Sequence, residues 1–320
     1  MDKVKVGIIG VGYLGMQHAR ITSYLEEAEL TAVADIDFKK ALEIGNRHGV
    51  KYYQNFEDML DEIDAGIVAT PTSDHFRISM DLLRRGKHVL VEKPITETIE
   101  QAEQLVDMAR RNGLILQVGH LERFNPAVEA VGTMISDPKF IEVQRLGSFS
   151  ARSLDVDVVL DLMIHDLDII LDLIKDEVSV IRSSGIHVLS DKVDIANARL
   201  EFKNGTVANL TASRVSLGEP VRKIRIFQPE SYISLDYSKK EMAVFTLGPG
   251  SEDDPMSRIR IEQVPIDDED ALRTELAAFA QAVQTRETPA VTGADGRRAL
   301  HAAMQVHEEI RKSLKKFFKG

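Results

Sequence analysis

Apolar and polar positions along the 320-residue chain follow two different periods. A short β-branched run over residues 4–9 leads at once into a glycine-rich turn, and residues 16–28 then carry apolar side chains at helical spacing. The alternation continues with strands predicted over 29–35, 51–54, 65–70, 88–93 and 114–120, and helices over 38–49, 55–62, 74–86 and 98–113. Strands alternating with helices predict a parallel sheet covered on both faces, with ligands gathered at the carboxyl ends of its strands.

Residues 121–131 read as a loop and helix that leave this sheet. From about Phe140 the pattern becomes strands joined by short turns, over 140–153, 178–189, 193–202, 206–215, 221–229, 231–237, 241–247 and 257–264, with Asn204-Gly205 a hairpin turn. Two helices, near 269–285 and 293–316, close the chain. These signals predict two domains, 1–122 and 123–320, the second an α+β domain on a largely antiparallel sheet. One face of that sheet is expected to cover a helix and the other to be open to self-association.

The helix predicted over 158–174 is apolar around most of its circumference, which marks it as buried. Its polar residues Asp161, His165, Asp168 and Asp172 fall within about 40° of one line if every residue turns by 100°. Such a stripe should face a cavity, a polar partner or a metal rather than hydrocarbon. Three readings stay open. His165 is a core histidine held by Asp161 or Asp168, or it joins a metal site, or Asp161 holds its imidazole in one tautomer so that it takes a hydroxyl proton.

Composition narrows the chemistry. With 43% hydrophobic residues the chain can bury ordinary cores. The formal charge of −11 repels nucleic-acid backbones and anionic lipid, so neither a nucleic acid nor a membrane is an expected partner. The basic segment 312–320 suits the negative end of a closing helix. The absence of cysteine excludes disulfides, thiolate metal sites and cysteine nucleophiles. No apolar run approaches the ~20 residues needed to span a bilayer, and the N-terminus runs straight into the glycine turn, which reads as a cytoplasmic protein.

Within Gly10-Val11-Gly12-Tyr13-Leu14-Gly15, Gly10 allows a tight turn, Gly12 lets backbone N–H groups approach a pyrophosphate, and Gly15 lets helix and strand pack closely. Asp35 lies about twenty residues beyond Gly15, where a carboxylate accepts hydrogen bonds from ribose hydroxyls and repels a 2′-phosphate. The cofactor expected is NAD, on a Rossmann domain of α/β class. Two further strand ends are chemically loaded: Thr70, Pro71 and His75 after the fourth strand, and Glu92, Lys93 and Pro94 after the fifth. Ser73 or Asp74 could instead be a helix N-cap. Pro94 restricts the backbone before it and so helps to fix where Lys93 points. His18, His48, His88, His187, His301 and His307 form no constellation along the sequence and are read as structural.

Over nearly its whole length the chain resembles the Gfo/Idh/MocA family of NAD(P)-dependent sugar oxidoreductases. The resemblance rests on the GxGxxG turn with Asp35, Glu92-Lys93-Pro94, Arg123-Phe124-Asn125-Pro126 and the DxxxH pattern at Asp161 and His165. It implies that Lys93, Asp161 and His165 form the catalytic set. It also implies oxidation of a secondary hydroxyl, most closely C3 of a nucleotide sugar such as UDP-N-acetylglucosamine, by a homodimer or homotetramer. Substrate contacts would come from Lys93, Arg123, Asn125, Arg152, Asp161 and His165; for the diphosphate of a nucleotide sugar Arg123, Arg152 and Arg214 are the candidate cations, each with a surface or salt-bridging role as its other reading. Where many members carry a glycine-rich stretch before DxxxH, this chain has residues 154–160, so the loop over the substrate is expected to differ. Two rivals remain: an NAD-dependent glycosidase that oxidises C3 only transiently, and a non-catalytic dinucleotide-binding regulator.

Overall fold

The computed structural model describes residues 2–149, 156–250 and 254–317. They form two compact units, one of residues 1–124 and 269–300, the other of 125–268 and 301–320. The first unit carries six parallel strands: β1 (Val4–Ile9), β2 (Ala28–Ala34), β3 (Lys51–Tyr53), β4 (Ala65–Val68), β5 (His88–Glu92) and β6 (Leu116–Gly119). Their order, β3-β2-β1-β4-β5-β6, reverses direction at β1, and that reversal opens the ligand crevice of an open α/β sheet. β4, β5 and β6 are buried along their whole length, as strands covered on both faces must be.

Helices α1 (Tyr13–Thr22), α2 (Phe38–His48), α3 (Thr72–Arg84) and α4 (Ile99–Asn112) lie between these strands. Local chemistry sets their ends. Asp37 caps α2 through Lys39 N, and Gly49 closes it in the left-handed region at φ 69°. Thr98 and Gln101 form a capping box on α4. The segment predicted as a helix over 55–62 is a 3-10 helix, Phe56–Glu62, capped by Asn55.

In the second unit the eight strands are β7 (Phe140–Leu146), β8 (Val178–Ile186), β9 (Ile195–Phe202), β10 (Val207–Ser213), β11 (Val221–Gln228), β12 (Ser231–Asp236), β13 (Glu241–Leu247) and β14 (Ile259–Val264). Their order is β14-β13-β12-β11-β7-β10-β9-β8, antiparallel throughout except for the parallel pair β7–β10. Asn204 and Gly205, the latter at φ 86°, make the β9–β10 hairpin. One face buries Val143, Leu210, Ile226 and Leu235 beneath α5 (Pro126–Met134) and α6 (Ile164–Ile174). The other carries a cross-strand row of Phe140, Phe227, Tyr232 and Phe245, with successive ring centroids 6.0, 4.8 and 5.0 Å apart.

Two expectations are corrected. The helix over 158–174 is not one α-helix: its first turn, Val159–Met163, is π-helical, and α6 begins at Ile164. The 100° rule therefore does not run unbroken from Asp161 to His165. Nor does the second unit hold all of 123–320, because α7 (Ala271–Thr285) belongs to the first. Leu276, Phe279, Ala280 and Val283 of α7 join Ile8, Ile21 and Ile67 in one core, and burying that apolar face draws the chain back. The residues of α8 (Gly293–Phe317) divide between the units after Leu300.

Candidate active site

At the reversal of the first sheet, Gly10 turns at φ 84°, and a Cβ there would lie 2.8 Å from Ala69 O. A Cβ on Gly15 would stand 1.8 Å from Gly10 O, so helix and turn meet backbone to backbone. Gly12 is different, since a Cβ added there meets nothing within 4 Å among the described residues. It is the N-cap of α1 and has no side chain to satisfy the first N–H groups of the helix, and uncapped groups of that kind suit an anion. Tyr13 and Leu14 begin that turn with exposed side chains.

Asp35, just beyond β2, is oriented by two backbone donors: Val11 N to Oδ2 at 2.9 Å and Asp37 N to Oδ1 at 2.8 Å. Each oxygen keeps a lone pair for a ribose hydroxyl. An open backbone at Gly12, the amino end of α1 and a fixed carboxylate at Asp35 suit a dinucleotide without a 2′-phosphate.

Beyond β4, His75 is buried and bridges Thr70 O and Pro94 O, each at 2.9 Å, so it ties the turn after β4 to the turn after β5. Pro71 takes the N-cap position of α3 while Ser73 and Asp74 fall inside its first turn, which corrects the N-cap reading of those two residues. At the end of β5, Glu92 receives His18 Nε2 at 2.7 Å, and Lys93 follows, joined to Pro94 by a cis peptide bond. Burial pushes the Glu92 carboxyl up, but His18, then Lys93 and His75, hold it below its ordinary value. Arg123 Nη2 donates to Ala290 O at 3.3 Å.

In the second unit the π-helical turn is held by Asp157, whose Oδ1 accepts from Val159 N and Leu160 N and whose carbonyl accepts from Asp161 N at 3.0 Å. Asp161, His165 and Asp172 are half-buried and Asp168 is buried. Asp166, beside His165, takes a bidentate bond from the buried Arg145, with both contacts at 2.9 Å and the Tyr237 hydroxyl completing the set. Asn125 Oδ1 caps α5 by accepting from Ala127 N. Arg214 lies in a structural ion pair with Asp194, at 2.8 Å. Arg152 lies outside the described residues. Among those residues no group of three or more His, Asp or Glu could hold a metal ion.

A model described as an oxidoreductase family with an NAD-binding Rossmann fold matches residues 4–120, and one for the GFO/IDH/MocA C-terminal domain matches 135–232. UDP-N-acetylglucosamine 3-dehydrogenase of Acidithiobacillus ferrooxidans is 36% identical over 311 residues, covering 97% of this chain and 98% of that one. This chain belongs to the Gfo/Idh/MocA oxidoreductase family. A solved structure of the Acidithiobacillus enzyme aligns with a TM-score of 0.90 over 97% of this chain and 98% of that chain. Myo-inositol 2-dehydrogenase of Thermotoga maritima is 25% identical over 329 residues, covering 96% of this chain and 97% of its own. The fold is shared with scyllo-inositol dehydrogenase of Lactobacillus casei, at a TM-score of 0.83 and 21% identity over 98% of each chain. As a Gfo/Idh/MocA member, the protein is an oxidoreductase with NAD as its cofactor.

Several residues at or behind these positions escape sequence reasoning. His18 and His307 sit in constellations after all, with Glu92 and Asp157, and Asp166 is the helix's buried ion-pair partner. Glu275 was the one with a visible signal: it is a charged residue at a core-facing position of an otherwise apolar helical stripe.

Proposed function

We propose that this protein oxidises C3 of a nucleotide sugar, UDP-N-acetylglucosamine, by transfer of hydride to NAD, with Lys93, Asp161 and His165 as its catalytic residues. The full-length likeness to a UDP-N-acetylglucosamine 3-dehydrogenase carries this reading. Bound NAD supplies the hydride acceptor. Gly10, Gly12, Gly15, Tyr13 and Leu14 receive its pyrophosphate, Asp35 its adenosine ribose, and the turns at Thr70-Pro71 and Glu92-Lys93 its nicotinamide half. His165 removes the proton of the reacting hydroxyl while the Lys93 ammonium stabilises the developing alkoxide, and Asp161 orients the imidazole. Arg123, Asn125 and Arg152 contact the nucleotide-sugar substrate.

The test is a panel of UDP-sugars assayed with NAD and NADP, followed by NADH absorbance and with the product mapped by NMR. Net NADH and a 3-keto product are expected with UDP-N-acetylglucosamine. Glycoside cleavage without net NADH would support the glycosidase instead, and NAD binding without turnover of any sugar would support the regulator. Lys93→Ala should bind NAD and lose most turnover; unchanged turnover removes the lysine from the chemistry.

The same reading places the protein in the cytoplasm as a homodimer or homotetramer, assembled through the row Phe140, Phe227, Tyr232 and Phe245. A row of rings in which Phe227 is exposed, the other three are half-buried and Phe227 stacks on Tyr232 supports a second copy as the partner. Sedimentation of Phe227→Lys should show monomers if that face is the interface.

A further inference from the structure

Behind the Lys93 turn the first unit buries a set of ionisable side chains to which the proposed chemistry gives no proton-transfer role. Glu92 immediately precedes Lys93 and is gripped by His18, whose side chain is wholly buried. A Cβ added at Gly119, the residue paired with Glu92 across β5 and β6, would lie 3.0 Å from Glu92 Oε2, so that strand crowds the carboxylate from the other side. Glu275 sits on α7 at 1% exposure, and among the described residues neither of its carboxyl oxygens has a hydrogen-bond partner. Its backbone carbonyl accepts from Gln117 Nε2 of β6 at 3.3 Å, which docks α7 against the strand beside β5.

An isolated ionised carboxylate in such surroundings is far more costly than the neutral acid. Burial first, and the charge of Glu92 second, push the Glu275 carboxyl well above its ordinary value, whereas Glu92 stays ionised on its cations. Burial thus favours the protonated acid at Glu275, while its cations favour the ionised form of Glu92. Among the titratable groups on elements packed against α7 or β5 are His18 of α1, His75 of α3, and His120, Glu122 and Arg123 of the segment after β6, and Lys93 follows β5 directly.

We propose that Glu275 is a positioning residue, a buried neutral acid that adds no second charge to that of Glu92 next to Lys93 and so holds the Lys93 turn in one orientation. Ionisation of Glu275 sets a second negative charge beside Glu92, and the repulsion loosens the grip of His18 on Glu92 and moves Lys93 with it. The proposal rests on the reading that Lys93 acts on the substrate.

Glu275→Gln keeps the shape and cannot ionise. Its alkaline limb in kcat against pH should move up by at least one pH unit relative to the native protein, with KM for NAD and sugar changed less than kcat. Superimposable profiles overturn the proposal. A second measurement needs no substrate. In protein labelled at lysine Cε, with the Lys93 signal assigned through Lys93→Arg, that signal should shift with pH in the native protein and lose the shift in Glu275→Gln. A Lys93 signal with the same titration in both proteins overturns the proposal even if another sugar, or none, is oxidised. Thermal melting controls for folding. The raised carboxyl makes the native fold lose stability as pH rises above the ordinary carboxylate range, and Glu275→Gln should flatten that slope.

Discussion

His307 Nδ1 lies 2.6 Å from Asp157 Oδ2, and the other oxygen of the same carboxylate caps the turn that leads into Asp161 and His165. A side chain of the closing helix thus steadies the start of the helix that bears two of the proposed catalytic residues. The hydrogen bond to Asp157 raises the His307 pKa above 6.5. Burial pushes Asp157 up, but His307 and the backbone of Leu160 and Val159 outweigh it and hold the carboxyl below 3.8.

These directions fix a pH window. The share of stability from His307 is complete below pH 6.5 and disappears as pH rises through its raised value, while that from Asp157 is complete above 3.8 and disappears as pH falls through its lowered value. His307→Gln should therefore cost most at pH 5–6 and less once the pH has risen through the raised value of His307. Because the His307 side chain is 47% exposed, solvent screening limits the loss to about 1 kcal/mol. Calorimetric melting from pH 4 to 9 checks it, and a constant difference across that range would show that the pair does not titrate with folding.

The glycines of the first turn separate folding from binding. Gly15→Ala drives a methyl carbon to 1.8 Å from Gly10 O, so the turn must rebuild, and a large loss of thermal stability is expected together with loss of NAD binding. Gly12→Ala meets no atom of the described residues within 4 Å, and its φ of −68° suits alanine. That variant should lose about 1 kcal/mol or less, the difference between a glycine and an alanine N-cap, yet bind NAD at least tenfold more weakly because the methyl occupies the approach of the pyrophosphate. Melting curves paired with NAD titrations test both.

The contrast shows what the sequence could and could not reveal. The glycine turn, Asp35 and the β–α alternation are local: each follows from neighbouring residues and a fixed period, and the first sheet forms in the predicted order of elements. The pairings that steady the candidate site are not. His18 meets Glu92 across 74 residues, Arg145 meets Asp166 across 21, and Gln117 reaches the α7 backbone across 158. No spacing rule encodes such partners, because they are set by which helix docks on which strand. The π-helical turn before Ile164 was hidden for a related reason, since an apolar run has the same composition whether its turn is wide or tight.

Asp166 offers a test of how the helix bearing His165 is held. Its carboxylate is 1% exposed, is matched by both arms of Arg145 and accepts from the Tyr237 hydroxyl. Asp166→Asn leaves the guanidinium buried without a counter-charge, a loss of about 3–5 kcal/mol. An exposed pair such as Arg225 with Glu142, 38% and 39% exposed, is worth about 0–1 kcal/mol. Asp166→Asn should lower the melting temperature by roughly 10 °C and Glu142→Gln by about 2 °C or less. Equal shifts would show that burial does not govern these pairs.

Asp35 should decide between the two nicotinamide dinucleotides, and its two roles can be separated. Its carboxylate anchors the glycine turn through Val11 N and also supplies the charge that would repel a 2′-phosphate. Asp35→Asn keeps an oxygen for Val11 N but removes the charge, so it should melt within a few degrees of the native protein and shift the ratio of kcat/KM for NAD over NADP toward NADP by about tenfold or more, the effect of losing a charge-assisted bond worth ~1.5–3 kcal/mol. Asp35→Ala removes both the charge and the anchor and should lose NAD affinity and stability together. Loss of NAD use in both variants without any gain in NADP use would mean that Asp35 acts only through the turn, and that the preference for NAD arises elsewhere on the sheet edge.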